Sequence, residues 1–149
     1  MITLRFATTG DLEELLPRTH ALNVHEGIDI SEERLRAALT TLLASPELGG
    51  VWVLERDGET VGYAIVTYGF DLEYDGRDAY LTELWEDPPH RGGGSASAAL
   101  ELLTAELSAR GVNALHLQVR PDNPAMRLYE RLGFRLSPRR IMTRVLPTA

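Results

Sequence analysis

The chain of 149 residues is 44% hydrophobic and 25% charged, the make-up of one globular domain rather than a disordered segment. It has no cysteine, which excludes a disulfide scaffold, a thiolate nucleophile and any Cys-based metal site. A net charge of −7 argues against a nucleic-acid binder, which would present a basic face.

Along the chain, Ile2, Leu4 and Phe6 alternate with Thr3, Arg5 and Ala7 and predict a first strand. Thr9 or Asp11 caps a helix over roughly residues 11–24, and Ser31 opens a second that runs to about Ala44, with Pro46 and Gly49–Gly50 ending it. Residues 51–56 and 60–68 read as a hairpin around Asp57-Gly58-Glu59, because Asp-Gly supplies the positive φ of such turns. Residues 77–86 form another strand, with Ala79, Leu81, Glu83 and Trp85 expected on one face. Pro88-Pro89-His90-Arg91-Gly92-Gly93-Gly94-Ser95 leads into a helix to Arg110, whose stripe Ala96, Ala99, Leu100, Leu103 and Leu107 marks a buried face. A strand over 114–119 follows. Asn123, Pro124 and Gly133 frame a helix over 124–132, and residues 134–136 and 139–146 are expected to close the chain as paired strands. The order β-α-α-β-β-β-α-β-α-β-β predicts a single α/β (α+β) domain over 1–149 with a mostly antiparallel sheet.

The start of the chain has neither a basic nor an apolar leader region, and no apolar run reaches the ~18 residues of a membrane span, so a cytoplasmic protein with no membrane partner is expected. His20, His25, His90 and His116 show no metal-ligand spacing, so no metal is expected. The charge is uneven: residues 1–75 carry 14 acids and 5 arginines, a net of −9, and residues 76–149 carry 8 acids and 10 arginines, a net of +2. That division suits an anionic ligand on the second half and a cationic one approached by the first.

The strongest chemical signal is a strand, a glycine run and a helix start in immediate succession. A helix N-terminus leaves four amides outside its ladder and carries about half a positive charge. Glycines ahead of it let a backbone approach a pyrophosphate with no Cβ in the way, and Arg91 adds a fixed charge. Neither a P-loop nor a dinucleotide fingerprint fits.

Arg91, Gly94 and Ala96 resemble the R/Q-x-x-G-x-G/A acetyl-CoA signature of the GNAT N-acetyltransferase superfamily. The stretch Ala125-Met-Arg-Leu-Tyr129-Glu-Arg-Leu-Gly133-Phe134 resembles that family's A-x-x-x-Y-E-x-x-G-F motif. The element order agrees over nearly the whole chain. Gly62-Tyr63-Ala64 and Tyr80-Leu-Thr-Glu-Leu-Trp85 look most like the small-amine acetyltransferases of polyamine or diamine type. Glu86 departs from the pattern, standing where the family usually has an apolar residue. Asn123 lies six residues before Tyr129, with Asp122 in the seventh place where the family commonly has Asn, so it reads as a helix cap before a ligand.

The resemblance implies transfer of an acetyl group from acetyl-CoA to a primary amine of a small molecule in a ternary complex. Tyr129 would protonate the leaving thiolate, and Glu83 would serve as general base and touch the amine. Backbone N–H groups near Trp85–Asp87 would polarise the thioester carbonyl. Leu84, Trp85, Glu86, Arg91, Gly92, Gly93, Gly94, Ser95, Ala96 and Asn123 would bind the cosubstrate, and His25 and Glu26 would line the acceptor site. A GNAT-like acyl-CoA binder with little catalysis, and an acetyltransferase for protein N-termini or lysines, remain alternatives. No nucleic-acid partner is expected, and a homodimer is left open.

Overall fold

The computed structural model describes residues 1–148, which divide into two compact units, Met1–Val119 and a second from Arg120 onward. The first unit runs β1 (Ile2–Phe6), α1 (Leu12–His25), α2 (Glu32–Ala44), β2 (Gly49–Arg56), β3 (Glu59–Asp71), β4 (Gly76–Glu86), α3 (Ser95–Ala109) and β5 (Ala114–Leu117). The second contains α4 (Met126–Arg131). Short 3-10 turns at Thr9–Asp11, Leu72–Tyr74 and Pro88–His90 join elements.

The five strands form one sheet in the order β1-β2-β3-β4-β5. The first four are an antiparallel meander, and β5 joins β4 in parallel after the crossover through α3. Asp57 and Gly58, both at positive φ, make the β2–β3 turn as expected of Asp-Gly. Ser31 caps α2 by accepting from the Arg34 N–H at 3.2 Å.

Alternation sorts the sheet into two faces. Val51, Val53, Tyr63, Ile65 and Trp85 pack with Leu15 and Leu39 of α1 and α2. The opposite face carries Trp52, Leu54 and Val66, and α3 contributes the buried Ala99, Leu100, Leu103 and Leu107. Arg110, at the end of α3, stacks on the rings of Phe6 and Trp52. Burial of each such leucine contributes about 1.5–3 kcal/mol.

Four expectations are corrected. Gly49 and Gly50 open β2 instead of ending a helix: a Cβ on Gly49 would meet the Val66 carbonyl at 2.2 Å, and one on Gly50 the Trp52 ring at 2.4 Å. The strand of residues 60–68 extends to Asp71. Ala79, Leu81, Glu83 and Trp85 do not share a face, because the β3–β4 register shifts between Ile65 and Val66. Glu83 pairs with Ile65 and Leu81 with Val66, so the extra residue, Thr82, sends Glu83 and Trp85 to the α1–α2 side and Leu81 to the other. Lastly, residues 134–136 and 139–146 are not strands. Their alternation finds no ladder partner among the described residues, and Leu136, Ile141, Met142, Val145 and Leu146 are exposed.

Candidate functional site

β4 and β5 are paired only from Asp78–Ala114 to Leu81–Leu117. Beyond that rung Thr82–Glu86 continue along β3, but their other edge has no strand beside it among the described residues. The sheet therefore opens at Leu81, leaving Leu84 and Glu86, which alternate with the β3-facing Trp85, with backbone groups on the opened side. This split is what cofactor motifs placed directly after the two strands would require.

Trp85–Asp87 lead through the turn at Pro88–His90 to the glycine run and α3. Gly92 and Gly94 have φ of +88° and +78°, and Gly94 is the N-cap of α3. A Cβ on Gly92, Gly93 or Gly94 would meet nothing within 4 Å, so the backbone here faces open space. The helical ladder begins with Ala98 N–H donating to the Gly94 carbonyl, which leaves the amides of Ser95, Ala96 and Ser97 outside it. Ser95 is buried; its hydroxyl accepts from Arg56 at 3.0 Å and donates to the His90 carbonyl at 3.3 Å. Arg56, from the end of β2, thus joins this loop. Arg91 lies over the Trp85 ring at 4.5 Å, and its Nε donates to the Glu86 carbonyl at 2.9 Å. Glu86 itself has Oε2 buried with no hydrogen-bond partner among the described residues.

On the α1–α2 face, Glu83 Oε1 accepts from the Tyr63 hydroxyl at 2.6 Å. Burial holds the Glu83 carboxyl above the usual carboxylate range, and the Tyr63 hydrogen bond draws it part of the way back. Burial, followed by the Glu83 charge, pushes the Tyr63 phenol far above its ordinary range, so Tyr63 remains the donor. Glu83 also forms part of the wall of a cavity of about 140 Å³ between α1, α2, β3 and β4.

His25 ends α1 and meets Trp85 edge-on, with ring centroids 6.4 Å apart; Glu26 caps the same helix. Asp87 ties this corner together. It accepts from the Trp85 indole at 3.2 Å and from Arg18 through both carboxylate oxygens at 2.8 to 3.2 Å, while Arg18 also reaches the Thr60 carbonyl. The pair is half-buried and two-pronged, the geometry in which an ion pair has a defined orientation.

In the second unit, Asn123 is not the N-cap of α4, which is Ala125; its Oδ1 accepts from the Ala125 N–H at 2.8 Å and organises the turn ahead of the helix. Tyr129 packs edge-on against Phe134 at 6.0 Å, and burial raises its phenol above the ordinary range.

The first unit thus brings together His25, Glu83, Trp85, Glu86 and the glycine loop. Arg18, Arg56 and Asp87 lie in no motif, and Tyr63 stands out in sequence only within Gly62-Tyr63-Ala64. One signal for Tyr63 was available: a tyrosine at an inward strand position needs a partner for its hydroxyl.

A family model described as acetyltransferase (GNAT) matches residues 12–134. The chain is 30% identical over 141 residues to the thialysine N-epsilon-acetyltransferase of Bos taurus, across 89% of this chain and 83% of that one. It is 37% identical over 83 residues to an acetyltransferase of Pectobacterium atrosepticum, a match spanning 55% of either protein. An integron cassette protein from the mobile metagenome of Cole Harbour Salt Marsh superposes with a TM-score of 0.84 at 28% identity, covering 98% of this chain and 91% of that one. No helix among the described residues is long and apolar enough to cross a membrane. The chain belongs to the acetyltransferase (GNAT) family.

Proposed function

We propose that the protein transfers the acetyl group of acetyl-CoA to the primary amine of a small molecule, by direct attack in a ternary complex. One observation carries this reading: a sheet that opens after Leu81, with a donor-rich glycine loop directly downstream and a half-buried carboxylate on the face of the same strand turned to α1 and α2. The bovine relative is named for an N-epsilon-acetyltransferase of thialysine, which supports a small-amine acceptor.

The residues fit acetyl-CoA. Open space before Gly92, Gly93 and Gly94 lets the pyrophosphate reach main-chain N–H groups at a helix N-terminus, with Arg56 and Arg91 as nearby cations. Pantetheine amides would pair with the opened edge of β4, and the Glu86 N–H on that edge would polarise the thioester carbonyl. The cationic amine loses a proton to Glu83, directly or through water. Its nitrogen lone pair then attacks the carbonyl carbon, the C–N bond forms, and the C–S bond breaks with its electrons leaving on sulfur. The thiolate takes a proton from Tyr129, a role supported by the Y-E-x-x-G-F motif, and the second proton that the nitrogen sheds as the amide forms restores the Tyr129 hydroxyl through solvent. The raised affinity of Glu83 for a proton suits it to a base that must capture one near neutrality.

The test is thiol release from acetyl-CoA with and without a panel of primary amines, alongside acetyl-CoA titration by calorimetry. Amine-dependent release is expected. Binding of acetyl-CoA with no amine dependence would leave an acyl-CoA binder, and acceleration only by peptides would assign a protein acceptor.

A further inference from the structure

Trp85 holds the cation that precedes the glycine loop. The Arg91 guanidinium carbon lies 4.5 Å from the centre of the indole ring, and its Nε donates to the Glu86 carbonyl at 2.9 Å. That carbonyl stands on the opened edge of β4, because Trp85 and the Asp87 N–H face β3. One face of the guanidinium and its Nε are thereby committed. Among the described residues, neither η nitrogen has a hydrogen-bond partner and no carboxylate pairs the charge. The remaining end is a planar, two-pronged donor, the shape that matches phosphate oxygens.

The platform itself is anchored. Trp85 is buried among Leu15, Leu39, Tyr63 and Ile65, its indole N–H donates to Asp87 at 3.2 Å, and Arg18 grips both oxygens of Asp87. A buried ring whose one polar atom is bonded has little freedom left to lose. Arg91 is an exposed side chain, and an arginine without support would give up its rotamer freedom each time it met a ligand. Resting on the acetyl-transfer reading above, we propose that the Trp85 side chain is a positioning residue for the cosubstrate, fixing the Arg91 fork in advance for a phosphate group of acetyl-CoA. The arginine belongs to the glycine motif, whereas the indole that steadies it comes from β4. Lysine does not replace such a group, because an ammonium has neither a plane to stack nor a fork to present.

Acetyl-CoA titrated into the whole protein by calorimetry tests this through a double-mutant cycle. Trp85→Leu should weaken binding about tenfold, the change expected on losing a partly desolvated cation–π contact. In the Arg91→Met background the same change should weaken binding by less than about twofold, because the group it positions is gone. Arg91→Lys keeps the charge, yet should bind within about twofold of Arg91→Met. Trp85→Phe puts a ring back beneath the guanidinium and should regain most of the loss. An indole that only supports the fold costs the same in both backgrounds, and that result overturns the inference. Wild-type affinity in Arg91→Lys overturns it too, as does an equal loss of affinity for S-acetylpantetheine, which carries no phosphate. Melting temperatures accompany every variant; should Trp85→Leu fail to fold, Arg91→Lys and Trp85→Phe decide by the same criteria. If the wild type does not bind acetyl-CoA, the acetyl-transfer reading falls and this inference with it. If it binds but no amine or peptide accelerates thiol release, transfer falls and the role of Trp85 stands.

Discussion

Tyr63→Phe removes one oxygen from a fully buried ring and leaves its packing in the α1–α2 face of the sheet intact. The loss is the 2.6 Å hydrogen bond to Glu83. A hydrogen bond to a charged acceptor contributes about 1.5–3 kcal/mol net, against about 0.5–1.5 kcal/mol for a neutral pair. Stability should therefore fall by the larger amount where Glu83 is ionised and by the smaller amount where it is protonated. At 2–4 °C per kcal/mol for a domain of this size, the alkaline melting temperature drops by about 3–12 °C. The bond also favours the ionised carboxylate, so its removal raises the Glu83 proton affinity further. The acidic limb of kcat/KM then moves to higher pH, and activity at a pH on that limb falls by about ten- to a hundredfold while the alkaline plateau is retained. Full pH profiles of kcat/KM and melting temperature for the two proteins measure this. An acidic limb that stays in place, or moves to lower pH, would refute the coupling of Tyr63 to the proposed base.

Three further outcomes follow from the geometry. Glu83→Gln should lower kcat by about 10²–10⁴-fold; because burial raises the folded carboxyl above its unfolded value, wild type loses stability as pH rises through that range, so the variant is the more stable protein at alkaline pH and the two converge in acid. Gly93→Ala places a methyl in open space at an unstrained φ, so melting temperature should hold or rise while calorimetric affinity for acetyl-CoA falls about tenfold or more, and unchanged affinity would remove the pyrophosphate from this loop. Tyr129→Phe should reduce kcat by about 10²–10⁴-fold and stability by at most ~1–2 kcal/mol; a kcat within about threefold of wild type would end its assignment as the acid.

Sequence periodicity reaches α1, α2 and α3 because each turns one face to the sheet, and the glycine run is legible because a strand and a striped helix flank it. What it does not reach is set by tertiary contacts. Ala79, Leu81, Glu83 and Trp85 alternate without interruption, so nothing local marks the bulge at Thr82; only the β3 partner strand fixes which side Glu83 takes. Gly49 and Gly50 resemble helix terminators until the Val66 carbonyl and Trp52 ring are seen to fill the space of a Cβ. The Arg18–Asp87 pair joins residues 69 positions apart, beyond any spacing rule. The final segment shows the converse: alternation over 139–146 describes a chain able to pair, and a strand forms only where a second backbone answers it.

Four rungs hold β5 to β4, and then the ladder stops with β4 still running. An extended chain with unpaired amides inside a protein is a template with the demands of any sheet edge. A ligand carrying peptide-like amides that lies there acts as a temporary strand, recognised by the spacing of its amides more than by side groups. In the proposed reaction the sheet would be completed and undone once per cycle, and its cohesion would grow with donor concentration as RT ln(1 + [L]/Kd). A cell's supply of the acyl donor would in this way set the enzyme's lifetime as well as its rate.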